Sequence, residues 1–189
     1  MNQGGPAALF FMDIQDNHFA LFGLPERFAI DGAALDRAYR ALQSRVHPDR
    51  FAASGAAEQR VALQWATQAN EAYRVLREPL KRAIYLCSRK GHDPANENNT
   101  DMPQAFLLEQ LEWREALDDA RTSDDRAALD ALDRKLAAAR DRLKADVEAA
   151  LDRDDDAAQA SELVRQWMFV ERFGEDVASA SDRLGSPVH

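Results

Sequence analysis

His47-Pro48-Asp49, an imidazole and a carboxylate one residue apart, is the first place where this 189-residue chain could do chemistry. A histidine held by a neighbouring aspartate can act as a general base. That role needs a nucleophile or a substrate to deprotonate, and no serine or threonine lies in a recognisable nucleophile elbow. The one cysteine, Cys87, falls in a helical stretch with no assignable partner. His18, His47, His92 and His189 show no ligand spacing, and a single thiol excludes an internal disulfide and a cysteine-cluster metal site. The expectation is therefore no enzyme, no metal and no cofactor. The tripeptide reads instead as a device shown to another protein.

Two helical patterns position it. Upstream, Leu35, Ala38, Tyr39, Leu42 and Val46 recur at spacings of three and four. Downstream, Val61, Trp65, Ala69, Ala72, Tyr73 and Leu76 do the same. Proline disfavours helical geometry in the residue before it and lacks an amide donor, so the first helix should stop near His47. The two stripes face each other in an antiparallel hairpin with His47-Pro48-Asp49 at its tip. Asp31 is a plausible N-cap for the first arm, and Ala57 to Arg77 form the second. Short helices are expected over 18–24 and 80–90, with 50–56 as exposed loop. On the first arm Arg37 and Arg40 lie opposite the apolar stripe and Arg45 borders it, so a positive face runs to the tip and would steer an acidic partner there.

Strands are hard to find. Apolar residues make up 46% of the chain, enough for a core, but β-branched residues are scarce and the chain reads as all-α. The formal charge of −9 is unevenly spread: residues 17–91 hold 12 Lys/Arg and 7 Asp/Glu, while residues 92–189 hold 12 and 24. Halves of opposite sign point to two modules with different partners. An acidic half argues against nucleic acid, and the excess in the first half is too small to argue for it. No apolar run reaches membrane-spanning length. Residues 1–16 have no basic residue before their short apolar stretch, which fits a flexible leader better than a secretory signal, and the expected compartment is the cytoplasm.

The Gly/Pro/Asn-rich segment 91–103 is the expected linker between a domain over 17–90 and one over 104–184, with a tail at 185–189. Three helical stretches follow it: 104–120, 125–151 and 157–184. In the middle one Leu129, Leu132, Leu136, Ala139, Leu143, Val147 and Ala150 follow a near-heptad rhythm, the spine of an antiparallel three-helix bundle about 40 Å long. The acidic turns at 124–125 and 152–156 suit helix starts.

The first of these three helices carries too much apolar surface. Phe106, Trp113, Leu117 and Ala120 occupy one arc, and Leu107, Leu108 and Leu111 a second, flanked by Glu112, Glu115 and Asp119. One face suffices for a bundle; the spare one is a domain seam or a binding site. On the last helix Ala160, Leu163, Val164, Trp167 and Val170 make a core stripe, and Phe169 falls outside it. Leucines ringed by acids, with an aromatic nearby, have the composition of a protein-binding hot spot.

Asn70-Glu71-Ala72-Tyr73, Leu76, Pro79, Lys81-Arg82-Ala83 and Tyr85, together with His47-Pro48-Asp49, resemble a J domain, the module that binds DnaK-type chaperones and stimulates their ATP hydrolysis. The resemblance implies that role for His47, Pro48 and Asp49, with Arg37, Arg40 and Arg45 as electrostatic contacts. Leu86 stands after Tyr85 where many J domains place an aspartate. Leu21-Phe22-Gly23-Leu24-Pro25, His47-Pro48-Asp49-Arg50-Phe51 and Phe106-Leu107-Leu108-Glu109-Gln110-Leu111-Glu112 extend the similarity to the HscB family, the J-type co-chaperones of iron–sulfur cluster assembly. That resemblance implies an L-shaped molecule, a J domain plus a bundle. It also implies an HscA-type chaperone as one partner, and an IscU-type scaffold held by Leu107, Leu108, Leu111, Glu112, Glu115, Asp119 and Phe169. Leu108 replaces a methionine of some members, and Asp119 a longer acid. The cysteine pairs of some eukaryotic relatives are absent, which removes any zinc expectation. The alternative is a J-domain co-chaperone with a different client.

Overall fold

A computed structural model describes residues 17–51, 54–95 and 102–185. The expected leader at 1–16, part of the expected linker and nearly all of the tail lie outside the described residues. Among these residues the regular elements are helices only: α1 (His18–Leu21), α2 (Gly32–Val46), a 3₁₀ turn (Pro48–Phe51), α3 (Ala56–Arg77), α4 (Pro79–Arg89), α5 (Gln104–Thr122), α6 (Arg126–Asp152) and α7 (Ala157–Gly185). The chain forms two compact units that meet inside α4, between Tyr85 and Leu86. The expected domain end at residue 90, with the linker after it, falls just beyond the end of α4 instead. The last turn of α4 belongs with the second unit, where the Cys87 thiol feels the charges of Lys90 and of Arg165 on α7.

In the first unit, Leu35, Leu42 and Val46 of α2 and Trp65, Ala69, Ala72 and Leu76 of α3 are buried, as their spacing predicts, while Ala38 and Val61 of the same stripes are half-buried and Ala62 is buried in place of Val61. Asp31 caps α2, its carboxylate accepting from the Ala33 amide at 2.9 Å. Tyr39 and Tyr73 are only half-buried, because their hydroxyls need polar partners. Their rings stack 4.0 Å apart. The Tyr39 hydroxyl donates to Asn70 Oδ1 at 2.9 Å, and the Tyr73 hydroxyl to Asp36 Oδ1 at 2.8 Å. These bonds fix the register of α3 against α2 where apolar packing alone would permit sliding. The expected helix over 18–24 is shorter than read: Gly23, at φ 62°, ends it through a left-handed turn that only glycine adopts without strain. The short helix is held to α4 by the His18 ring stacked 4.2 Å from Tyr85 and by the His18 amide, which donates to the Tyr85 hydroxyl at 3.0 Å.

The second unit is a three-helix bundle. All seven residues of the α6 stripe are buried. Asp125 caps α6 by accepting from the Ala128 amide at 3.0 Å, and Asp156 accepts from the Gln159 amide at 2.9 Å, so both acidic turns act as helix starts. Asp124 and Asp155 take the left-handed backbone, at φ 50° and 52°, that aspartate tolerates in such turns. Across α6 and α7 one carboxylate serves two donors: Glu171 Oε1 accepts from Arg140 Nε at 2.7 Å and from Trp167 Nε1 at 2.8 Å. Among the described residues no helix is long and apolar enough to cross a membrane.

Burial pushes the Cys87 thiol up to about 11, against an opposing pull from Lys90 and Arg165. The folded protein therefore holds this proton more tightly than the unfolded chain. The stability that this supplies is complete below about pH 8.5 and is lost as pH climbs toward 11. At pH 8 the folded protein should react slowly with a chromogenic thiol reagent and the urea-unfolded protein at once; equal rates would show that the thiol is open to solvent.

Candidate functional site

The tip of the first unit is built by the helix stop at Pro48. α2 ends at Val46, His47 leaves it with an extended backbone, and Pro48 opens the 3₁₀ turn. The turn closes through the Arg50 amide, which donates to the His47 carbonyl at 3.0 Å. The His47 and Asp49 side chains are 56% and 88% exposed, so neither is spent on the core. The Asp49 amide donates to His47 Nδ1 at 3.3 Å, and an Asp49 carboxylate oxygen lies 3.5 Å from the same nitrogen. Nε2 is therefore the ring nitrogen left to meet a partner. The geometry leaves both side chains open to solvent at the tip.

Arg37, Arg40 and Arg45 are exposed on α2, as their spacing predicts. Arg37 approaches Asp31 at 3.7 Å, and Arg40 Nε donates to the Asp36 carbonyl at 3.1 Å. Arg45 in the last turn forms no ion pair among the described residues. Arg50 is the residue that the sequence reading missed. Its Nη1 donates to the Ser44 carbonyl at 2.9 Å, satisfying one of the orphan acceptors at the end of α2 and tying the turn to the helix. A cation three residues beyond a helix stop was the available signal.

The second surface lies on α5. Phe106, Trp113, Leu117 and Ala120 are buried, together with Gln110, which the apolar pattern had not included. Leu107, Leu108 and Leu111 are 48%, 57% and 53% exposed. Three large side chains on one helix, each about half in water, form the contiguous apolar patch that a folded chain usually hides. Glu112, Glu115 and Asp119 beside them are exposed and form no ion pair among the described residues. The patch therefore presents apolar surface and uncompensated negative charge together.

Phe169 sits differently from the leucines. It is half-buried among aromatic rings: Phe106 edge-on at 5.8 Å, Phe173 stacked at 5.8 Å and Trp113 stacked at 6.4 Å. The Arg114 guanidinium covers its ring at 5.6 Å. Sequence placed it off the core stripe correctly, but its ring also supports the α5–α7 packing.

A two-unit helical protein with an exposed His-Pro-Asp hairpin and an acidic leucine face defines the class of J-type co-chaperones. Residues 102–178 match the family described as the HSCB C-terminal oligomerisation domain. A co-chaperone protein HscB homolog of Burkholderia multivorans is 54% identical over 176 residues, 92% of this chain and 98% of that protein. Chaperone HscB from Vibrio cholerae superposes with a TM-score of 0.75 at 36% identity, covering 89% of this chain and 99% of that one. Human co-chaperone protein HscB gives 0.78 at 26% identity, covering 89% and 83%. The chain belongs to the HscB family, the J-type co-chaperones of iron–sulfur cluster assembly.

Phe169→Ala should lower the unfolding free energy of the bundle by roughly 1–3 kcal/mol, because it empties a ring site among three aromatics. Leu108→Ala should stay within about 0.5 kcal/mol of the parent. Urea denaturation followed by tryptophan fluorescence distinguishes them; equal losses would show that Leu108 is a packing residue.

Proposed function

We propose that the α5 face takes an IscU-type iron–sulfur scaffold and that the His47-Pro48-Asp49 tip engages an HscA- or DnaK-type chaperone and stimulates its ATPase, promoting transfer of the cluster from scaffold to acceptor. The observation that carries this reading is the exposure of Leu107, Leu108 and Leu111 on a helix whose opposite face already fills the core. Leucines in water are unfavourable by about 25 cal/mol for each Å² left uncovered, so a partner that covers them gains what folding left unused. Glu112, Glu115 and Asp119 favour a partner with basic residues around an apolar centre. On the first unit, the arginines of α2 suit an acidic groove on the chaperone, and His47 and Asp49 are free to make short-range contacts within it.

On this reading the first unit, the J domain, and the bundle of the second have separate clients. Holding both on one chain makes the meeting of scaffold and chaperone effectively intramolecular, so moderate affinities for each suffice. The cluster is cargo, and this chain has too few thiols to hold one itself.

The test is a steady-state ATPase assay with chaperone, scaffold and this protein in every combination. His47→Gln should abolish stimulation with and without scaffold. Leu107→Ala, Leu108→Ala and Leu111→Ala combined should keep the stimulation given by this protein alone and lose the additional stimulation by scaffold. Full synergy from the triple variant would reject the scaffold assignment, and full stimulation by His47→Gln would reject the chaperone assignment.

A further inference from the structure

Between α5 and α7 runs an open groove of about 460 Å³ whose floor is Leu117, Phe169 and Phe173 and whose walls hold Arg114, Arg121 and Arg172. Three guanidinium groups gathered in the acidic half of the chain are unexpected. Two carboxylates also line it, Asp118 and Asp176. Asp118 is matched to Arg121 at 4.0 Å, and Arg121 Nη2 also donates to the Asp176 main-chain carbonyl at 3.3 Å. Arg114 lies over the Phe169 ring and has no carboxylate partner among the described residues; Arg172 is exposed and has none either. Against these two cations stands the Asp176 carboxylate alone, which leaves the groove positive.

Its position relative to the leucines gives it meaning. Turning around α5 at about 100° per residue, Arg121 and Arg114 come first, then Leu107, Asp118, Leu111, Glu115 and Leu108, then Asp119 and Glu112; of the two acids within the ridge, Asp118 is matched to Arg121. The leucine ridge is thus bordered by guanidinium groups on the α7 side and by carboxylates on the other. A ridge of uniform charge would bind in either direction. Borders of opposite sign admit one orientation, because reversal sets like charges against each other.

We propose that this groove receives a carboxylate side chain of the same scaffold, together with an apolar neighbour that rests on Phe169, and that this contact sets the scaffold's orientation on α5. Arginine suits such a contact, since its planar donors can grip a carboxylate bidentately while the flat face stays on the ring. The inference rests on the scaffold reading above and extends it from the leucine face to a second, oppositely charged subsite.

Calorimetric titration of scaffold into the full-length chain, at about 50 mM and about 300 mM salt, tests it. Arg114→Gln with Arg172→Glu should bind about tenfold more weakly than the parent at low salt and close to it at high salt. Arg172→Lys should restore most of the loss in the single Arg172→Glu variant. Circular dichroism and chaperone stimulation without scaffold should match the parent, which separates a lost contact from a lost fold. Parent-like affinity and salt dependence in the double variant, with binding lost on combined Leu107→Ala and Leu108→Ala, would overturn the groove and leave the leucine face standing. Absence of binding by the parent would overturn both. Sedimentation gives the remaining outcome: a parent dimer that the double variant turns to monomer would show that a second copy of this chain occupies the groove, and would equally overturn the proposal.

Discussion

A helix in a three-helix bundle can bury only one stripe of its circumference, and that limit governs the second unit. α5 has more leucines than its stripe can use. Phe106, Gln110, Trp113, Leu117 and Ala120 take the buried positions, and nothing in the bundle remains to cover Leu107, Leu108 and Leu111. The aromatic cluster around Phe169 anchors α5 against α7, so the helix cannot roll to exchange one face for the other without breaking the contacts of Phe106 and Trp113 with the α7 rings. The exposed leucines are therefore held in place by the residues behind them. A surface carried on a rigid helix forfeits little entropy when it is covered.

In the first unit the comparable limit is proline. It stops α2, and the two helices that it separates pack through apolar stripes and through a row of side-chain hydrogen bonds from Asp36 to Asn70. Arg50 ties the turn back to the end of α2. His47 and Asp49 are consequently carried by a braced turn while their side chains stay in water. Both units thus follow one plan: the polar or apolar groups offered outward are backed by a framework that does not need them.

Much of this was legible in residue spacing. The stripe of α6 and most of those of α2 and α3 emerged as buried, and the caps Asp31 and Asp125 hold the amides that their positions suggest. The exposed leucines were legible too, since a second arc on one helix is visible in periodicity alone. Legibility failed where a contact joins residues distant in sequence. Nothing local marks the unit boundary at Tyr85, because α4 is one continuous helix and only its long-range neighbours divide it. The brace from Arg50 to Ser44 and the rings packed around Phe169 likewise depend on distances that spacing does not encode.

By itself the sequence determined the helical class, the hairpin with its interrupted tip, the opposite charges of the two halves and the leucines that no single stripe could absorb. These follow from local rules: periodicity, capping, and the inability of proline to continue a helix. Tertiary structure alone decided which aromatic rings share one cluster, and that Arg114, Arg121 and Arg172 gather along one groove. Those arginines come from α5 and α7, which the long α6 separates in sequence. Only the packing of the two helices side by side sums their charges in one place.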